Sequence, residues 1–310
     1  MAAGLALALA AGLAPRLCEA VEPWLRDHPL RHIRSETLVY RVQAKGATVG
    51  KATFTVSRDS SWGEEQVVLR AEAEGTLRLF VVTYRYHSVL TSRVALDGLV
   101  QRSSMDHRLL PSYKRKWLRF SSLGVDYFRH KPCECPPNLC HNPDHFRLKK
   151  GERVHRRDSE KPRHCVWGLR ERHRHVRLPA YDMLAALYLA RGLELTPGTK
   201  AGPIIVVAKR DVWAIEVLPR EEETIEVPAG TFQCVRVGLN PIPANEHAMD
   251  SQEEDEEAGF EGPFGLKGDI AIYLDKATGR AVKVNGTKQA DLKIKTLDVG
   301  VEAELVRIGE

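Results

Sequence analysis

Residues 37–57 read TLVYRVQAKGATVGKATFTVS, and apolar and polar side chains alternate on both sides of the turn Lys45-Gly46-Ala47. A period of two places every second side chain on one face of an extended strand. The stretch therefore predicts two antiparallel strands joined by a tight turn, with one face toward a core.

The same alternation recurs along most of the chain and gives twelve to fourteen strands in total. Because links of hairpin length predominate, we expect the strands to be largely antiparallel. Further segments with this pattern are 66–74, 77–94 (long enough for a bent strand or a hairpin), 99–107, 113–121, 125–130, 204–208, 212–218, 223–227, 231–238, 268–274, 281–286, 290–296 and 301–306.

One interior helix is predicted over Ala180–Arg191 (AYDMLAALYLAR), with Pro179 in its first turn and Gly192 at its C-terminal cap. Apolar residues nearly surround this segment, so we expect it to be buried. A second short helix is predicted around 22–30. The predicted fold is all-β: a strongly curved antiparallel sheet, or open spiral barrel, around a single apolar helix.

The composition excludes several classes of protein. The 310 residues are 43% hydrophobic and 28% charged, which is ordinary for a globular chain and argues against overall disorder. No run of about 18 apolar residues is present, so a membrane-spanning helix is not expected. The sequence has no nucleophile elbow, no phosphate-binding loop and no helical HExxH motif. It therefore predicts a protein without enzymatic activity and without a cofactor.

The N-terminal segment resembles a secretory signal peptide. Residues 1–14 are almost entirely Ala, Leu and Gly, and Cys18-Glu19-Ala20 offers small residues where a signal peptidase cleaves. The prediction is a signal peptide over 1–20 and a single β-rich domain over 21–310, located in the periplasm. The alternative is a buried Ala-rich helix in a cytoplasmic protein.

Two charged segments interrupt the strand pattern. A basic insert, residues 129–177, holds 14 Lys and Arg against 6 Asp and Glu, and an acidic loop, residues 246–261, holds 8 acidic residues and no Lys or Arg. Without the insert the chain is slightly acidic. The two segments could be solvated loops, could pair with each other, or the insert could bind an anionic polymer.

The basic insert also contains Cys133, Cys135, Cys140 and Cys165, with His141 and His145 close by. In an oxidising compartment four cysteines predict two disulfides, either Cys133–Cys140 with Cys135–Cys165, or Cys135–Cys140 with Cys133–Cys165. The alternative is a zinc site formed by Cys133, Cys135, Cys140, His141 and His145, although the usual two-residue spacing between cysteines is missing. Cys234 lies in a predicted strand and is expected to be a buried free thiol.

Five landmarks, in order, resemble domain-of-unknown-function family 3108, a family of exported bacterial envelope proteins. They are the hairpin around Tyr40-Arg41-Val42 and 48–52, the segments 77–87 (LRLFVVTYRYH) and 181–188 (YDMLAALY), and the hairpins 226–237 (EVPAGTFQCVRV) and 268–283 (GDIAIYLDKATGRAVK). The resemblance implies a β-rich protein of the Gram-negative envelope with no assigned reaction. A looser similarity links the expected curled sheet to the half-barrels of lipoprotein carriers.

The predicted function is that of a non-enzymatic periplasmic envelope protein, which binds a lipid, a lipoprotein or a partner segment on a concave sheet. The residues proposed to contact this ligand are Phe80, Tyr84, Tyr86, Met183 and Leu187. A sheet interior completely filled by side chains would contradict this function. The alternatives are a metal-binding module or metal-dependent enzyme that uses the Cys/His residues, and a structural protein that docks onto anionic envelope polymer. Nucleic acid is not expected as a partner.

Overall fold

The computed structural model describes residues 34–60, 63–79, 82–109, 112–130, 167–173, 176, 178–245, 248, 260–292 and 295–309. These residues form fourteen strands and one α-helix, with a short 3-10 turn at Pro263–Gly265. The predicted helix around 22–30 lies outside the described residues.

All fourteen strands belong to one sheet, and every neighbouring pair is antiparallel. The elements are β1 (Glu36–Ala44), β2 (Ala47–Asp59), β3 (Gln66–Leu79), β4 (Val82–Ala95), β5 (Val100–Leu109), β6 (Ser112–Ser121), β7 (Gly124–His130), β8 (Trp167–His173), α1 (Met183–Ala190), β9 (Ala201–Ala208), β10 (Asp211–Val227), β11 (Gly230–Pro243), β12 (Lys267–Asp275), β13 (Ala281–Leu292) and β14 (Lys295–Gly309). In spatial order the strands run β8-β7-β6-β5-β4-β3-β2-β1-β14-β13-β12-β11-β10-β9. The first and last strands of the described residues therefore pair with each other in the middle of the sheet. This confirms the predicted all-β, antiparallel fold.

The sheet curls until its two edge strands, β8 and β9, come close together. Tyr181 extends the β9 edge: its N–H donates to the carbonyl of Ile205 at 2.9 Å, and its carbonyl accepts from the N–H of Val207 at 2.8 Å. A ring nitrogen of His173, at the end of β8, lies 3.4 Å from the carbonyl oxygen of Lys209. The fold is thus a nearly closed, barrel-like sheet.

Helix α1 begins at Met183, three residues later than the predicted start at Ala180, and ends at Ala190. The reason is that Tyr181 is held in extended backbone by its bonds to β9, so the helix can form only after it. Asp182 is the N-cap, and its carboxylate accepts hydrogen bonds from the N–H groups of Leu184 and Ala185. Pro179 therefore precedes the helix rather than occupying its first turn.

The helix fills part of the sheet's interior, as expected for a helix with apolar residues on nearly all sides. Leu184 and Ala185 are at most 1% exposed, and the helix packs against β3, β4 and β9. Val94 of β4 and Leu69 of β3 are fully buried in the same core. Burial of each such side chain contributes about 1.5–3 kcal/mol to the stability of the fold. These contacts therefore stabilise the helix inside the curved sheet.

Parts of both charged segments belong to the described fold. Residues 129–130 end strand β7, and strand β8 lies within the predicted basic insert and pairs with β7. At the end of the acidic loop, the Phe260 ring packs edge-on against Trp213 with centroids 5.8 Å apart, and Glu261 pairs with Lys209 at 2.5 Å. Strand pairing and ring contacts are tertiary interactions, so the local excess of charge does not reveal them.

Candidate functional site

The interior of the sheet is not completely filled. A cavity of about 230 Å³ remains between the C-terminal half of α1 and the strands around β1. We call it the main cavity. Nearly all of its wall is aliphatic or aromatic, which is the lining typical of a site for an apolar ligand. Its residues are Leu38, Tyr40, Val42, Ala44, Val49, Ala52, Phe54, Ala73, Tyr86, His107, Leu187, Tyr188, Arg191, Phe264, Leu266, Ile270, Ile272, Ala281, Val284, Lys288, Val299, Val301 and Ala303.

Strand β1 runs along the length of the main cavity. Every second residue of this strand lines the wall, namely Leu38, Tyr40, Val42 and Ala44. This agrees with the alternation of apolar and polar residues seen in the sequence 37–57. The six residue steps from Leu38 to Ala44 span roughly 20 Å in an extended strand. The lining of the main cavity therefore extends for roughly this distance along β1.

The main cavity is closed at the end near the start of β1. The Tyr40 hydroxyl donates a hydrogen bond to the carbonyl of Ala281 at 2.6 Å. Next to it, Glu36 pairs with Arg191, which follows α1, and with Arg280 at 3.0 Å. Burial raises the pKa of Glu36, but the hydrogen bonds and charges of the two arginines outweigh it and leave that pKa below its usual value.

Tyr188 places a polar atom in this closed end. The residue is 2% exposed, and within the described residues its hydroxyl makes no hydrogen bond of good geometry, although the Arg191 guanidinium lies beside it and acts on the phenol. The Arg191 guanidinium carbon lies 4.9 Å from the ring centre, and burial raises the phenol's pKa well above its ordinary value. Buried hydroxyls without a well-formed hydrogen bond are uncommon, so this one marks a position where a bound molecule could supply an acceptor.

The opposite end of the main cavity is open, and it is shaped by two glycines. Gly50 of β2, Gly75 of β3 and Tyr86 of β4 are in register on three adjacent strands. A Cβ at Gly50 would lie 2.8 Å from the Tyr86 hydroxyl and 2.2 Å from the Glu74 carbonyl oxygen. The absence of side chains at the two glycines lets the tyrosine ring approach the strands closely, a recognised use of glycine in sheets.

Lys288 of β13 projects into the main cavity near this open end. Its ammonium donates to the carbonyl of Phe264 at 2.8 Å and lies 5.4 Å from the centre of the Tyr86 ring. Burial lowers the pKa of the Lys288 amine, and the charge of Glu261 offsets this only in part. Within the described residues, no carboxylate lies within ion-pair distance of this ammonium.

Beyond the open end lies a wider polar cleft. The main cavity and the cleft share four lining residues, so the two spaces are continuous. These residues are Ala44, Val49, Tyr86 and Val299. The cleft also carries the charged side chains of Lys45, Lys51, Glu74 and Arg85 and the imidazole of His87. An apolar interior thus leads to an entrance where positive charge exceeds negative.

A second cavity, of about 140 Å³ and more polar, lies beside the first. Its wall includes Met183 and the N-cap Asp182, which is 4% exposed and accepts a 2.5 Å hydrogen bond from Ser92. Burial raises the pKa of Asp182 despite its hydrogen bonds. Phe264, with a left-handed backbone (φ 58°), lines both cavities and so divides them.

The structure places the predicted ligand contacts in different spaces. Tyr86 and Leu187 line the main cavity, whereas Met183 lines the second one. Phe80 and the side chain of Tyr84 lie outside the described residues. So do Cys133, Cys135, Cys140, Cys165, His141 and His145, and the choice between disulfides and zinc therefore stays a prediction.

Cys234 is a buried free thiol, as predicted, with no exposed surface. Burial, with the charges of Asp275 and Glu223, raises the pKa of this thiol to about 11, which makes it a poor nucleophile.

Sequence reasoning missed Lys288, Tyr188 and the Glu36 pairs. For Lys288 the sequence offered one signal. It lies two residues after Gly286 and four after Val284, so the three share one face of β13.

The described part of the chain contains no group of three or more His, Cys, Asp or Glu residues arranged to hold a metal ion. No helix in the described ranges has the length and apolarity needed to cross a membrane.

Comparison with known proteins supports the fold. No known family matches the sequence, and no curated protein is similar to it. Among solved structures, the chain is similar to a β-barrel-like protein of domain of unknown function DUF1849 from Brucella abortus. The similarity has a TM-score of 0.51 at 8% sequence identity and covers 88% of this chain and 96% of the other. At this identity the likeness concerns the fold alone: both chains form barrel-like β-sheets, and that protein has no assigned function.

Proposed function

We propose that this protein is a non-enzymatic binding protein of the Gram-negative periplasm, and that its main cavity holds the apolar chain of a lipid or of a lipidated partner. The observation that carries this proposal is the unfilled, mostly apolar space between α1 and β1. An empty apolar cavity costs stability, because its wall loses packing contacts. Occupation by an apolar chain would recover those contacts.

The shape of the main cavity favours a chain over a compact ligand. It is closed by Tyr40 and Glu36 at one end, open beside Tyr86 at the other, and lined by the alternate residues of β1 between them. A ligand would therefore enter through the polar cleft and extend along β1.

The test is binding of N-phenyl-1-naphthylamine, an uncharged apolar probe whose fluorescence rises in apolar surroundings. Wild-type protein is expected to bind it saturably, and dodecanol should displace it. Ala303 lines the main cavity, so Ala303→Leu fills part of the space and should weaken binding at least tenfold.

The matched control is Ala214→Leu, the same change in β10 at a partly exposed position that does not line the cavity. Its binding should equal that of the wild type, and circular dichroism should show that both variants are folded. An absence of saturable binding, or equal binding by Ala303→Leu, would contradict the proposed function.

Export is a separate part of the proposal, supported by the signal-like residues 1–20. The full chain should be expressed in a Gram-negative host and its intact mass measured without reductant. A periplasmic chain that begins at Val21 supports export, and an uncleaved cytoplasmic chain contradicts it. Hydrogens missing from the cysteines would in addition establish disulfides over zinc.

A further inference from the structure

The main cavity contains a charge that no carboxylate of the described residues neutralises. Lys288 faces the apolar interior, and its ammonium has three donor hydrogens but, within the described part of the chain, one hydrogen-bond partner, the carbonyl of Phe264. The nearby Tyr86 ring adds a weak attraction, with the ammonium 5.4 Å from its centre. Two donor directions of a partly buried cation are therefore left for a ligand.

Two other partly buried lysines differ from Lys288 in having an acidic partner. Lys283, five residues earlier in β13, pairs with Glu302 at 2.7 Å, and Lys209 pairs with Glu261 at 2.5 Å. Glu261 is the acidic group that acts on Lys288 at longer range, but it is bound by Lys209. Removing a cation from water without a partner is unfavourable, so this exception needs an explanation.

The surroundings of Lys288 place it where the head of an amphiphile would lie. The ammonium is near Tyr86 at the open end, while Val42, Tyr40 and Leu38 continue the apolar wall toward the closed end. The cleft outside adds Lys45 and Arg85, whose positive charges favour the approach of an anion.

We propose that the main cavity takes a single-chain amphiphile with an anionic head, that Lys288 binds the head, and that the chain extends along β1; this inference rests on the proposed function. The head is a carboxylate or a phosphate, because either forms a charge-assisted hydrogen bond with an ammonium. Tyr86, whose hydroxyl lies beside Gly50 and Gly75, is a further donor in the wall.

The experiment compares three ligands that share one chain: dodecanoate, dodecyl phosphate and dodecanol. Each is titrated below its critical micelle concentration against full-length protein, with displacement of N-phenyl-1-naphthylamine as the readout. Wild-type protein should bind at least one of the anions ten or more times tighter than dodecanol. Whichever anion binds tighter identifies the head as carboxylate or phosphate.

Lys288→Met removes the charge and keeps an apolar side chain of similar length. This variant should bind dodecanol as the wild type does and should lose the preference for the anions. The control is Lys276→Met, the same change at an exposed lysine that pairs with Glu222 outside the cavity, and it should keep the preference.

The outcomes separate this inference from the proposed function. If none of the three ligands displaces the probe and the probe itself does not bind, the proposed function fails. If dodecanol binds as tightly as both anions, or if Lys288→Met keeps the anion preference, the cavity is an apolar site and the inference is overturned. Retained dodecanol binding by Lys288→Met shows that the variant is folded.

Discussion

The hydroxyl of Tyr40 donates a 2.6 Å hydrogen bond to the carbonyl of Ala281, and this bond joins β1 to β13 across the closed end of the main cavity. Tyr188 lines the same end and is also buried, but its hydroxyl makes no hydrogen bond of good geometry within the described residues and has only the Arg191 guanidinium beside it. The two buried tyrosines thus differ in how well the phenol is hydrogen-bonded.

Phenylalanine at these two positions should have different effects on stability. Tyr40→Phe removes the buried hydrogen bond to the Ala281 carbonyl and is expected to lower the free energy of unfolding by about 1–3 kcal/mol. Tyr188→Phe removes a hydroxyl that makes no hydrogen bond of good geometry within the described residues, so it should be neutral or slightly stabilising. Urea unfolding of the ligand-free variants measures both. Equal losses would show that the Tyr188 hydroxyl is hydrogen-bonded as well.

Glu36 is expected to contribute strongly to the stability of the fold, because it neutralises both Arg191 and Arg280. Glu36→Gln leaves two arginines without their carboxylate, so the free energy of unfolding should fall by about 3 kcal/mol at neutral pH. Because the pKa of Glu36 is lowered in the folded protein, its contribution is complete above the ordinary value of 4.5 and is lost as pH falls through the folded pKa.

The measurement is chemical unfolding of wild type and Glu36→Gln from pH 4 to 8. The stability difference should be constant in the upper part of this range and should shrink at the acidic end. A difference that stays the same throughout would show that Glu36 acts by shape rather than by charge.

Asp182 should show the opposite pH dependence. Burial raises its pKa above the ordinary value of 3.8, so the folded state binds its proton more tightly than the unfolded state does. The contribution of this carboxyl is therefore complete at low pH and is lost as pH rises through the folded pKa.

Asp182→Asn keeps an N-cap without a charge, whereas Asp182→Ala removes the cap and the partner of Ser92. The wild type should gain stability relative to Asp182→Asn as pH is lowered toward 4. Asp182→Ala should lose about 2 kcal/mol at neutral pH. If the wild type instead becomes more stable relative to Asp182→Asn as pH rises, the prediction that the folded state raises the pKa of Asp182 is wrong.

The strands and the interior helix could be predicted from the sequence, because both patterns are local. The strands show alternating apolar and polar residues, and the helix has apolar residues on nearly all sides. The sequence placed the helix start at Ala180 because Pro179 suits a first turn. The actual start at Met183 depends on the pairing of Tyr181 with Val206, which is a tertiary contact. In the same way, β8 was assigned to a charged loop because its pairing with β7 is not visible in its composition.

The site was less predictable than the fold for a related reason. Tyr86 and Leu187 belong to apolar or aromatic runs and could be identified from sequence. Lys288 reaches the main cavity only because β13 pairs with β14 and β14 pairs with β1, more than 240 residues away in sequence. A lysine in a strand is ordinarily exposed, so its inward position follows from the register of the sheet.

Gly50 should tolerate no side chain. A Cβ there would lie 2.2 Å from the Glu74 carbonyl oxygen, and backbone cannot move away as a side chain can. Gly50→Ala is therefore expected to lower the free energy of unfolding by about 2 kcal/mol. Gly300→Ala is the matched control, because a Cβ at this position in β14 meets nothing within 4 Å. It should be neutral or slightly stabilising, and equal losses in thermal unfolding would contradict the close-approach explanation.

Lys288→Met should make the ligand-free protein more stable. The substitution removes a partly buried cation that no carboxylate neutralises within the described residues, and a gain of about 1 kcal/mol is expected at neutral pH. Because burial lowers the pKa of Lys288, the wild type carries this penalty below the folded pKa and loses it as pH rises through the folded pKa and past the ordinary value of 10.5. The stability gap should therefore narrow as pH rises from neutral toward 10.5, whereas Lys276→Met, at an exposed lysine, should bring no such gain at neutral pH. A loss of stability in Lys288→Met would mean that the hydrogen bond to Phe264 holds the turn in place and that the lysine is structural. A gain would mean that the fold tolerates this charge at a cost, as proteins do at positions kept for binding.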